Sequence, residues 1–111
     1  MVAKTVSPTP KTRSRTAALP TELKARIASN LPGWQLVKKE LKARWSYPDF
    51  ANALGATVRV AVLAEKAGHH PDLALGWGYL EVRLSSQDAG TVTDRDASLA
   101  EAIQAALGAP G

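Results

Sequence analysis

Residues 65–72 read EKAGHHPD, and the fold turns on how this stretch is divided between a helix and a strand. Gly68 stands where a helix favours a left-handed C-terminal cap, and Pro71 has no amide hydrogen with which to prolong a helix. From Leu73 the pattern changes to an alternation, with Leu80, Val82 and Leu84 on one face and Tyr79, Glu81 and Arg83 on the other, the mark of a half-buried antiparallel strand. The stretch is therefore a helix-to-strand junction. Both of the chain's histidines, His69 and His70, sit on it.

Working outward, residues 47–68 form the strongest predicted helix. Asp49 follows Pro48 near its start, and Phe50, Leu54, Val58 (or Thr57), Ala61, Val62 and Glu65 mark one stripe. With few charges, this helix should pack hardest against the sheet. Before it, WQLVKKELKARWSY (34–47) reads as extended with a reversal near Lys38–Glu40, although no Gly or Asn-Gly supplies the turn. Earlier still, Pro20 and Glu22 suit a helix N-terminus, Leu23, Ile27 and Leu31 repeat at four-residue intervals, and Asn30 with Pro32-Gly33 ends that helix. After the strand, in which Gly76 and Gly78 flank Trp77 and suggest a kink or a close backbone approach, Thr93 caps a final helix. Asp96 completes its capping box, and Leu99, Ile103, Ala106 and Leu107 face inward. The order is helix, two strands, helix, strand material, helix: an α+β layer structure with helices on one face of an antiparallel sheet. An exposed sheet edge at 79–86 is the expected pairing site for a second subunit, giving a homo-oligomer, a dimer or tetramer.

The chain has 111 residues and no cysteine, which suits one domain and excludes disulfides and thiolate metal sites. With only two histidines no metal site is expected. No apolar run is long enough to span a bilayer, so no membrane partner is expected and the location is cytoplasmic. Lys4, Lys11, Arg13 and Arg15 supply the whole net charge of +4, because the ten basic and ten acidic residues from Thr21 onward cancel. Residues 1–19 are expected to be a disordered basic tail, suited to a protein partner with an acidic surface, and residues 20–109 the folded domain. A neutral domain argues against nucleic acid as a partner.

From Gly33 to about Leu107 the chain resembles the pterin-4a-carbinolamine dehydratase family. The likeness rests on Gly33-Trp34, Phe50 opening the long helix, Arg59-Val60-Ala61 leading into AEKAGHHPD (64–72), and TDRD (93–96) followed by SLAEAI (98–103). It implies a four-stranded antiparallel sheet in the order αββαββα. It also implies a pterin pocket built from His69, His70 and Pro71, with Glu65, Asp88, Asp96 and Trp34 close by. The pterin would be substrate rather than cofactor, so no cofactor is expected. The family's enzymes remove water from a 4a-hydroxytetrahydropterin to give the quinonoid dihydropterin, a step that needs one proton delivered to the leaving hydroxyl and another taken from a ring nitrogen. Imidazole suits both tasks, because it titrates near neutrality.

The chain departs from the family where a third histidine is expected: Ser86-Gln87-Asp88 stands in its place, and a carboxamide cannot relay a proton. Leu73 replaces an aromatic residue, and AGTV (89–92) replaces the usual Gly-Gly-Leu. HHPDLALGWGYLEVRL (69–84) is most similar to the dehydratase-like branch linked to carboxysomes. The preferred expectation is thus a degenerate site in a non-catalytic assembly factor, with Rubisco the leading partner and a carboxysome-associated location in a bacterium. The alternative is an active 4a-hydroxytetrahydrobiopterin dehydratase using His69 and His70 in tetrahydrobiopterin recycling.

Overall fold

A computed structural model describes residues 19–111. The expected basic tail, with Lys4, Lys11, Arg13 and Arg15, lies outside these described residues. Three helices, α1 (Thr21–Asn30), α2 (Phe50–Ala67) and α3 (Asp94–Leu107), accompany four strands, β1 (Gln35–Val37), β2 (Glu40–Ser46), β3 (Asp72–Gly76) and β4 (Tyr79–Leu84). The sheet is antiparallel throughout, in the order β1-β2-β4-β3. This is the expected α+β arrangement, αββαββα. No helix among the described residues is long and apolar enough to cross a membrane.

One face of the sheet carries Leu41, Ala43, Trp45, Leu80, Val82 and Leu84, all buried against the helices, and the core continues into Leu23, Ile27, Val60, Leu99 and Ile103. Register explains the layering. Leu41 pairs with Leu84, Ala43 with Val82 and Trp45 with Leu80, so each inward row meets another inward row, while Lys42, Arg44, Glu81 and Arg83 alternate onto the helix-free face. The packed unit is slightly wider than residues 20–109. Leu19 is buried in the core. At the other end, Gly111 donates its amide to the Arg44 carbonyl (3.0 Å) and accepts from Ser46 (3.3 Å), covering β2 where the short β1 leaves off.

The expected exposed edge at 79–86 is not one. Residues 73–86 are two strands: the chain turns at Trp77-Gly78, and the second arm, β4, lies between β2 and β3 with partners on both sides. The edges are β1 and β3. The close approach read from the glycines is real: a Cβ on Gly76 would lie 2.0 Å from the Tyr79 ring, which lies across the glycine. Above that ring the Arg44 guanidinium stacks at 3.9 Å. The β1–β2 reversal uses Lys38 (φ 54°) and Lys39 (φ 80°), both left-handed, the backbone of a two-residue primed turn without the glycine that usually signals it.

Helix α2 presents the opposite face from the one expected. Its buried residues are Ala53, Ala56, Val60 and Ala64, whereas Phe50, Leu54, Val58 and Val62 are 44–62% exposed. The helix is apolar nearly all round, so a period of 3.6 marks its bulkiest ridge without saying which face meets the sheet. Small side chains win that place, because they let the helix axis approach the strands closely. The large residues are left as an unpartnered ridge at i, i+4, i+8 and i+12. The cap signals are as read: the Asp49 carboxylate accepts from the Asn52 amide (2.8 Å), and Gly68 closes the helix at φ 66°.

Helices α1 and α3 are joined by a forked pair. Arg26 donates through Nε (2.8 Å) and Nη2 (2.7 Å) to the two oxygens of Glu101. The arginine's hydrogen bonds hold the Glu101 carboxyl below its usual range, against the opposing effect of burial. A depressed folded-state value means that this pair stabilises the fold above the ordinary glutamate value of 4.5, and that its contribution is lost as pH falls through the lower, folded value. Urea titration is expected to show Glu101→Gln losing about 1 kcal/mol at pH 7 and progressively less once the pH is taken below the ordinary value of 4.5, an amount typical of a partly exposed charged fork. Equal losses on both sides of that value would contradict this.

Candidate functional site

The αL conformation of Gly68 swings the chain off α2 so that His69 still donates its amide to the Ala64 carbonyl (3.2 Å), while Pro71 directs the backbone into β3. This positions the two imidazoles at the junction of α2, the sheet and the start of α3. His69 Nε2 lies 2.5 Å from Asp96 Oδ1. Asp96 has no exposed surface. Its other oxygen accepts from the Ser86 hydroxyl (2.8 Å) and from the Thr93 amide (2.8 Å), so the capping-box residue of α3 also anchors the histidine. A buried carboxylate is tolerated only when its oxygens are met by donors, and here each is. The contact assigns the Nε2 proton of a neutral His69 to Asp96 and leaves Nδ1 as the free nitrogen.

His70 is held more loosely. Its Nε2 is 2.7 Å from Glu65 Oε2, and both side chains are mostly exposed. A cavity of about 330 Å³ opens beside the pair, lined by His69, His70, Gln87, Asp88, Arg83 and Arg95 among others. Sequence spacing therefore brought the histidines and Gln87 to one place. Asp88 is there too, but Arg95 Nη2 donates to its Oδ1 at 2.5 Å and holds the carboxyl below its usual range, so it is an ion-paired wall rather than a free acid.

Three expected pocket residues stand differently. Glu65 reaches the site only through His70, and Pro71 shapes the backbone without lining the cavity. Trp34 does not line this cavity. Its ring is buried edge-on against Trp45 (5.5 Å), and its Nε1 donates to Gln104 Oε1 (3.2 Å). Gln104 is eight residues beyond Asp96 on α3, about 12 Å along the helix axis, so the indole belongs to the far end of the core. Conversely, Arg83 and Arg95 were missed as pocket residues. Arg95 carried a signal, since an arginine in the first turn of a helix opposes the dipole and calls for another purpose. Among the described residues no group of three or more His, Cys, Asp or Glu side chains is placed to hold a metal.

Residues 16–106 match the family model described as pterin 4 alpha carbinolamine dehydratase. The chain belongs to this family. Among its relatives, proteins carrying the provisional name pterin-4-alpha-carbinolamine dehydratase are 38% identical over 84 residues in Thermosynechococcus vestitus, covering 76% of this chain and 87% of the relative. In Paracoccus denitrificans such a relative is 42% identical over 89 residues, covering 78% and 82%. A transcriptional coactivator/pterin dehydratase from Brucella melitensis superposes with a TM-score of 0.74 at 27% identity, over 82% of this chain and 98% of that one. A pterin dehydratase-like protein identified as a RuBisCO assembly factor in the alpha-carboxysome superposes at 0.56 with 22% identity, over 68% and 88%. At that identity the second likeness concerns the fold alone. In this member of the family, His69, His70 and Gln87 line one cavity, with Asp96 buried behind His69.

Proposed function

We propose that the pocket beside His69 and His70 binds a 4a-hydroxytetrahydropterin and promotes loss of its 4a-hydroxyl as water, slowly. The observation that carries this is the pairing of each imidazole with its own carboxylate, Asp96 for His69 and Glu65 for His70, on one cavity shared with Gln87. Carboxylates in those positions fix ring orientation and tautomer, which is what acid–base work requires. His69 takes the ring-nitrogen proton through its free Nδ1, since Asp96 lies against the ring that gains positive charge. His70, open to solvent, passes a proton to the departing hydroxyl, and the products are water and the quinonoid dihydropterin. Gln87 grips the pterin through its amide without moving a proton. Stopped-flow measurement of the 4a-hydroxy adduct's decay tests this directly.

A second reading, a non-catalytic assembly factor of the Rubisco type, is favoured by one observation, the exposed ridge Phe50, Leu54, Val58 and Val62. So contiguous an apolar surface marks a protein interface. Its occupant in our account is a second copy of the chain, packed ridge to ridge, which moves the expected homo-oligomer from the sheet edge to α2. Sedimentation is expected to give an oligomer for the natural chain and a monomer for Val58→Glu combined with Val62→Glu. A natural chain that is monomeric and captures purified Rubisco through this ridge would instead support the assembly role.

A further inference from the structure

The helix-free face of the sheet carries a charge imbalance that the fold itself does not need. Glu81, mostly buried, has Arg44 Nη1 at 3.8 Å, Lys42 Nζ at 3.9 Å and Arg83 Nε at 4.0 Å, three cations about one carboxylate and none within hydrogen-bonding distance. Register sets Arg83 directly opposite Lys42, a like-charged cross-strand pair of the kind that destabilises a sheet. On its other side Arg83 faces Asp72, yet no ion pair forms between them among the described residues. The Arg83 Nε–H is buried with no acceptor, an unsatisfied donor that costs free energy until something meets it. Arg83 is also the one member of this cluster that lines the histidine cavity; Asp72 lines it too without an ion pair to Arg83, while Arg95 has its charge answered by Asp88.

We propose that Arg83 forms an anion subsite at the wall of the histidine pocket, so that the ligand is a pterin bearing an acidic substituent, a carboxylate or a phosphate ester, rather than a neutral one. This rests on the pterin reading of the pocket. A guanidinium offers a planar fork that meets two anionic oxygens at once, and the two positive charges in excess around Glu81 raise the local concentration of such ligands. The subsite discriminates by charge, separately from the proton transfers at the histidines.

The test is equilibrium binding of three probes to the full chain, followed by pterin fluorescence: 6-hydroxymethylpterin, its phosphate ester, and pterin-6-carboxylate. At low salt the natural protein is expected to bind at least one acidic probe tenfold or more tightly than the neutral one, and the tighter of the two names the anion. Arg83→Gln should collapse the ratio towards one, Arg83→Lys should retain part of it, and added salt should reduce it. Circular dichroism of both variants checks the fold. Equal affinity of the natural protein for all three probes would overturn the subsite while leaving the pterin reading intact. Failure of all three to bind would overturn the pterin reading and the subsite with it.

Discussion

Asp96→Ala is expected to cost the fold about 2 to 4 kcal/mol, the sum of a lost helix cap and one stranded buried donor. The loss has identifiable parts. The Thr93 amide at the start of α3 loses its cap, the buried Ser86 hydroxyl loses an acceptor, and His69 loses the group that fixes its ring. A missing cap alone costs about 1 kcal/mol, and each stranded buried donor adds about 1 to 3. Urea denaturation should show the midpoint falling with the slope unchanged. Asp96→Asn should retain the cap and lose less, while presenting His69 with an amide that can enforce the wrong tautomer. A loss below 1 kcal/mol for the alanine variant would show that Asp96 is not the hub the geometry makes it.

Gln87→His carries the larger catalytic effect. A positioned acid–base group contributes on the order of 10² to 10⁴ in rate, and the glutamine stands on the wall of the cavity that His69 and His70 share. Placing an imidazole there is expected to raise dehydration by about 10² or more. Were the change to gain less than threefold, the glutamine would not be what limits the site.

The parts legible in the sequence are those fixed by local chemistry. Gly68, Asp49 and the Thr93–Asp96 box each declare a helix end through one backbone requirement, and alternation in 79–84 declares the inward face of β4. What escaped depends on choices between equivalent local answers. Helix α2 has two apolar faces, and its bulkier one lost because alanines fit closer to the sheet. Strand β4 became central because Trp77-Gly78 turns the chain without a left-handed residue to announce it. Lys38 and Lys39 hold a turn that residue preferences assign to glycine. At the site, the histidines, Gln87 and Asp88 line one cavity. Trp34 does not, because its indole hydrogen is satisfied two turns along α3, and the basic partners Arg83 and Arg95 come from elements whose facing only the fold determines.

Catalysis at this site requires that the two carboxylate-held imidazoles move protons. Stopped-flow decay of a 4a-hydroxytetrahydropterin, followed with the natural protein and with His69→Ala combined with His70→Ala, decides whether they do. A decay accelerated over buffer by the natural chain, and returned to the buffer rate by the double variant, is the predicted result; equal decay in buffer, natural protein and variant would contradict it.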